Sequence, residues 1–119
     1  MSLAEFRVIC LCAEWCTICR DYRKVFAKIA TKFHPTPFVW VDIEDQADNL
    51  GNLDVENFPT VLIKCQNLIL YFGSITPQFW HLNRLLENFL TMTPKQRQDY
   101  INANQQRQDW QFMSVLAAL

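Results

Sequence analysis

Phe6-Arg7-Val8-Ile9-Cys10-Leu11-Cys12, followed across Ala13-Glu14 by Trp15-Cys16-Thr17-Ile18-Cys19, decides how this chain is read. The first run is nearly unbroken apolar, β-branched at its centre and bounded by charge. That is the pattern of a strand buried on both faces, as parallel strands under helices are. From 16 to 34 the period changes. Ile18, Tyr22, Val25, Phe26, Ile29 and Phe33 recur at helical spacing, with Arg20, Arg23, Lys24, Lys28 and Lys32 on the other side. Cys16 and Cys19 therefore stand at a helix start, three residues apart. Two thiols so placed can close a disulfide with little backbone movement. The amide donors of the helix start stabilise the thiolate, the form that attacks disulfides.

Outward from this segment, His34-Pro35-Thr36-Pro37 ends the helix, because neither proline can continue it. Phe38-Val39-Trp40-Val41-Asp42-Ile43 is a second strand, and strand, helix and strand in this order predict a right-handed unit with parallel strands. The polar stretch 44–57 holds a short helix ending near Gly51. Thr60–Cys65 and Leu68-Ile69-Leu70-Tyr71-Phe72 predict an antiparallel hairpin about Gln66-Asn67, with Asn67 as the residue that tolerates a positive φ. Thr76-Pro77 offers an N-cap and a first-turn proline for a helix whose stripe is Phe79, Leu82, Leu86, Phe89 and Leu90. Thr93-Pro94 repeats that start signal for a tail running to Leu119. Phe112, Val115, Leu116 and Leu119 form an apolar helical stripe in the tail, too large to leave in water.

A chain of 119 residues supports one domain able to bury roughly two-thirds of its unfolded surface. With half its residues hydrophobic and a formal charge of -1, composition argues against nucleic-acid or polybasic membrane binding. No apolar run is long enough to span a bilayer, and the first residues run into the first strand without the basic, apolar and cleavage-site pattern expected of a signal segment. The five cysteines, Cys10, Cys12, Cys16, Cys19 and Cys65, leave at least one thiol over. Cys10, Cys12 and Cys65 lie in apolar runs, where free cysteine behaves as a small hydrophobe. A reducing compartment, the cytoplasm, is expected.

The order strand, CxxC, helix, strand, then a proline opening a hairpin and a closing helix, is similar to the thioredoxin family over about residues 6–91. Cys12–Cys19 resembles its active-site segment, and Phe58-Pro59-Thr60-Val61 resembles its cis-proline segment. Gly73 falls where the family has a glycine bulge. The resemblance implies an α/β, thioredoxin-like fold lacking the N-terminal strand and helix. Its mixed central sheet would be flanked by helices, with an extra C-terminal helical tail. Residues 1–91 would be the domain. Residues 92–119 would be a helical extension, packed on that domain or on a second copy. The resemblance makes Cys16 the attacking thiolate and Cys19 the resolving thiol, with Trp15, Phe58 and Pro59 framing a substrate groove. It implies no bound cofactor. It implies protein disulfides as substrates and a reductase or small thiol as electron source.

Four departures from the family pattern stand out. Cys10 occupies the place of a buried acid that assists proton transfer, and Cys12 that of a tryptophan. Thr17-Ile18 replaces the common Gly-Pro pair, and no histidine sits there. The family's first strand and helix are missing, which makes the 38–43 strand a sheet edge and a second route to a homodimer besides the tail.

Other readings stand beside this one. Cys10, Cys12, Cys16 and Cys19 supply four thiols for a zinc ion, but the short step from strand to helix leaves little room for tetrahedral convergence, so no metal is expected. Cys65 reads as core, and Cys10 as a buried thiol or a third redox partner. The Lys/Arg face of the first helix reads as solvated, Trp40 as packing, and His34 and His81 as surface residues without partners. A non-enzymatic module that binds a protein partner is the alternative to a thiol–disulfide oxidoreductase.

Overall fold

Alternation along the first strand builds two cores at once. In the computed structural model, which describes residues 3–51, 53 and 55–119, β1 (Phe6–Cys12) turns Phe6, Val8, Cys10 and Cys12 to one face and Ile9 and Leu11 to the other. β1 pairs in parallel with β2 (Phe38–Asp42) and antiparallel with β3 (Thr60–Cys65), which pairs antiparallel with β4 (Leu68–Ser74). The order β2-β1-β3-β4 puts the most apolar strand inside and leaves β2 at one edge. Between β2 and β3 lies the short α2 (Ala47–Leu50), closed by Gly51 at φ 57°. Asn52 and Asp54 of the polar stretch lie outside the described residues.

The first core is covered by α1 (Thr17–Lys32) and α3 (Phe79–Thr91), which bury Cys19, Tyr22, Phe26 and Ile29, and Leu82, Leu86 and Phe89. On their outer side Lys32 Nζ donates to Asn83 Oδ1 at 2.6 Å and Glu87 Oε1 at 2.8 Å. α3 starts later than Thr76-Pro77 suggests, with Gln78 as N-cap. The Thr76 amide is satisfied otherwise: it donates to His81 Nδ1 at 2.9 Å. His81 also stacks on Trp80, with ring centroids 5.2 Å apart, so it is not the partnerless surface residue expected.

The hairpin forms about Gln66-Asn67, but the positive φ (54°) falls on Gln66. Gly73 pairs in register with Val61 and forms no bulge. The register slips instead between Ile63 and Lys64, leaving Leu70 as the extra residue, so that Leu70 and Tyr71 both face the first core.

Three helices complete the chain: α4 (Pro94–Asn102), α5 (Gln105–Trp110) and α6 (Ser114–Ala118). α4 opens on a complete capping box between Thr93 and Gln96, with Pro94 in the first turn. It adds Ile101 to the first core, while Trp110 and Leu116 lie in the second with Ile9, Leu11, Leu62 and Ile69. The tail therefore passes round the β4 edge. There Gln111 accepts from the Ile69 amide at 2.9 Å and donates to the Ile69 carbonyl at 2.7 Å, satisfying both groups of an edge residue. Lys64 Nζ and Arg7 Nε donate at 2.9 Å to the carbonyls of Ala117 and Leu119. The anticipated single stripe is broken between α5 and α6, which turns Phe112 out to 88% exposure while Val115, Leu116 and Leu119 stay on the sheet.

Candidate functional site

Cys16 is the N-cap of α1, with extended backbone at φ −88° and ψ 118°, and its amide donates to the Ala13 carbonyl at 3.0 Å. It is half-buried and its thiol is free. The cap has no side-chain hydrogen bond, so the amides of the first helical turn face the site. Cys19, one turn further in, is 1% exposed. α-Helical spacing sets residues three apart as neighbours on one face.

Cys19 is joined by a disulfide to Cys12, with Cα atoms 5.7 Å apart. Cys12 ends β1 on the face that looks at α1, and like Cys19 it is fully buried. Residue-by-residue reading missed this pairing. The available signal was the two-residue alternation that sends Cys10 and Cys12 to the helix-covered face. Cys10 Sγ lies 4.0 Å from Cys12 Sγ, and burial pushes the Cys10 thiol up to about 12. Tyr22 sits in the same layer. Burial, and then the nearby Cys10, raise its phenol above the ordinary range. Among the described residues its hydroxyl has no hydrogen-bond partner.

The exposed ring of Trp15 meets Phe58 edge-on at 5.6 Å, and Phe58 and Cys16 both border the first core. The Phe58–Pro59 bond is cis, as expected, and so is His34–Pro35, which was not anticipated. Pro59 is buried, and its carbonyl accepts from the Ile75 amide at 3.0 Å. A cleft of about 230 Å³ at Cys19 is lined by Ala13, Glu14, Cys19, Arg20, Arg23 and Trp40. Arg23 lies over the Trp40 ring at 5.2 Å, so part of the helix's cationic face is engaged with an aromatic ring. The larger hollows, about 520 and 710 Å³, lie beside the tail helices and have no thiol in their walls. Among the described residues, no three His, Cys, Asp or Glu side chains converge as metal ligands. No described helix is long and apolar enough to cross a membrane.

Comparison with known proteins places the fold. The thioredoxin family model matches residues 2–74. A rice protein, thioredoxin H5, is 33% identical over 55 residues, which are 46% of this chain and 41% of that protein; the chain thus spans about two-fifths of that relative's length. The crystal structure of thioredoxin from Trypanosoma brucei brucei is similar with a TM-score of 0.63 and 24% identity, over 77% of this chain and 80% of that one. A crystal structure of ferredoxin:thioredoxin reductase with thioredoxin f2 gives 0.60 and 16% identity, over 73% and 79%. The fold is thioredoxin-like, a mixed four-stranded sheet flanked by helices with additional C-terminal helices.

Proposed function

Because the chain belongs to the thioredoxin family, we propose that it is a thiol–disulfide oxidoreductase acting on protein disulfides through Cys16 and Cys19. The observation that carries this reading is the free, half-buried Cys16 at the N-terminus of a 16-residue helix, with Cys19 one turn behind it. Cys16 thiolate attacks a substrate disulfide and releases the first substrate thiolate. Cys19, as thiolate, then attacks Cys16 Sγ, forming the Cys16–Cys19 bond and freeing the second. Trp15 and Phe58, in contact at the rim, offer apolar surface to an extended substrate beside Pro59. Electrons come from a partner reductase or a small thiol, and no bound cofactor enters the cycle. Arg20 and Arg23 beside Cys19 suit an anionic thiol. Three free thiols, Cys10, Cys16 and Cys65, suit a reducing compartment, the cytoplasm.

One observation favours the second reading, a module that binds a protein partner without turnover: Cys19 is already engaged with Cys12. Reduction of insulin disulfides by dithiothreitol separates the two. The wild type should accelerate precipitation, and Cys16→Ser should fall to the uncatalysed rate. A wild type no faster than that background sinks the oxidoreductase reading.

A further inference from the structure

Cys19 stands between two possible partners. Cys12 reaches it across the strand–helix gap and is bonded to it. Cys16 precedes it by one helical turn and carries a free thiol at the helix N-terminus. The two partners differ in what they leave behind. A Cys16–Cys19 bond puts the disulfide at the half-exposed helix start, where a substrate reaches it. A Cys12–Cys19 bond withdraws it into the core and leaves Cys16 a single thiol without its resolver.

We propose that Cys19 is a shared resolver, so that the chain keeps its oxidised form as a buried Cys12–Cys19 disulfide and moves that bond to Cys16–Cys19 by internal exchange. This regulates the same site and rests on the oxidoreductase reading above. In the exchange Cys16 thiolate attacks Cys19 Sγ. The Cys16–Cys19 bond forms and the Cys12–Cys19 bond breaks, with its electron pair leaving on Cys12. The Cys16 sulfur is oxidised and the Cys12 sulfur reduced, so no outside oxidant enters. The proton that Cys16 gives to solvent is matched by one taken up at Cys12. Cys10, whose Sγ lies 4.0 Å from Cys12 Sγ, is placed to donate a weak S–H hydrogen bond to the departing sulfur.

The buried form has a chemical consequence. While Cys12 holds Cys19, a substrate captured by Cys16 as a mixed disulfide is retained rather than released. The exposed form turns over. Cys12 is then a reacting residue in the switch and a spectator in the reductive cycle.

The linkage can be read directly, because Glu14 lies between Cys12 and Cys16. The full chain is reduced, reoxidised with oxidised glutathione, quenched in acid, alkylated and cut after Arg7, Glu14 and Arg20. A Cys12–Cys19 bond links peptides 8–14 and 15–20, whereas a Cys16–Cys19 bond closes a loop within 15–20. Wild type should yield the linked pair with the label on Cys10 and Cys16. Returning that species to mildly alkaline buffer should produce the 15–20 loop. In oxidised Cys12→Ala, labelling of Cys16 should fall at least about tenfold, because Cys16, one helical turn from Cys19, then takes the place of Cys12 as its partner. Oxidised wild type holding only the 15–20 loop, or a linked fraction that never falls in alkaline buffer, overturns the proposal. Neither readout needs the variant to fold. Insulin reduction by Cys16→Ser at the wild-type rate would overturn the oxidoreductase reading instead, leaving the linkage map to stand on its own.

Discussion

At Cys10 the chemistry turns on a buried proton. Desolvation disfavours the thiolate and pushes this thiol up to about 12, against about 8.5 for a free cysteine. The folded chain therefore keeps a proton over a range where the unfolded chain loses it. Stability from this site is fully present below about pH 8.5 and is lost as pH rises toward the folded value, by up to ~1.4 kcal/mol per pH unit. Tyr22 acts in the same sense at still higher pH, its phenol raised by burial and by Cys10. The unfolding free energy of wild type in urea should fall steeply above about pH 8.5, and that of Cys10→Ala should fall less steeply. Equal slopes would show that this proton does not differ between folded and unfolded chains. Cys10 fills the position where the resemblance has a buried acid, and a neutral thiol there supplies no charge to relay. How much of the site was readable follows from what is local. Cys16 at a helix start depends only on nearby sequence and was readable. The Cys12–Cys19 bond depends on how α1 is rotated over β1, a tertiary property that spacing within one segment does not contain.

Element boundaries obey the same division. Thr93-Pro94 and Thr76-Pro77 are the same dipeptide, yet only the first caps a helix. The difference lies three residues on. Gln96 returns its side chain to the Thr93 amide at 2.8 Å and closes the capping box. After Thr76 the corresponding place is Phe79, which has nothing to return, and His81 takes the Thr76 amide instead. Strand periods read well because they reflect burial. Phe6–Cys12 alternates between two cores, and both faces are apolar in the sequence. The Leu70 bulge was hidden because a run of apolar residues does not reveal which two neighbours share a face. The capping box makes a measurable claim. Thr93→Ala removes the hydroxyl that accepts from the Gln96 amide at 3.1 Å, and should cost about 1 kcal/mol. Thermal unfolding should show a loss of a few degrees, with Thr76→Ala smaller. Reversal of that order would mean that the α4 start is not what the capping box holds.

For the molecule as a whole, the question is what closes the second face of the sheet. β2 is an edge, and Ile9, Leu11, Leu62 and Ile69 form a floor that α1 and α3 do not reach. Trp110 and Leu116 cover it, with Met113, Val115 and Leu119 at the margin. Polar ties fix the cover in place: Gln111 on Ile69, Lys64 on the end of α6 and Arg7 on Leu119. The ties are asymmetric in kind. Lys64 and Arg7 are cations set on the carbonyl end of the last helix, where unsatisfied oxygens and the helix dipole favour positive charge. Lys64 is partly desolvated by the arrangement, and burial, then the nearby Arg7, lower its pKa. An apolar stripe at the end of a sequence announces that something must be covered, but not which surface. The ring of Trp110 set edge-on to Tyr71 at 6.3 Å and the Gln111 clasp, together with the Lys64 and Arg7 contacts, tie this tail to its own sheet. We propose on this basis that residues 1–91 are a domain completed by 92–119. Removing 104–119 would expose the floor as one apolar surface, and exposed patches of that kind drive association. The truncated chain should aggregate or change mass by light scattering, and Trp110→Ala should lose about 3–5 kcal/mol as a buried large aromatic. A truncated chain of unchanged mass, solubility and melting temperature would show that the sheet is closed without its tail.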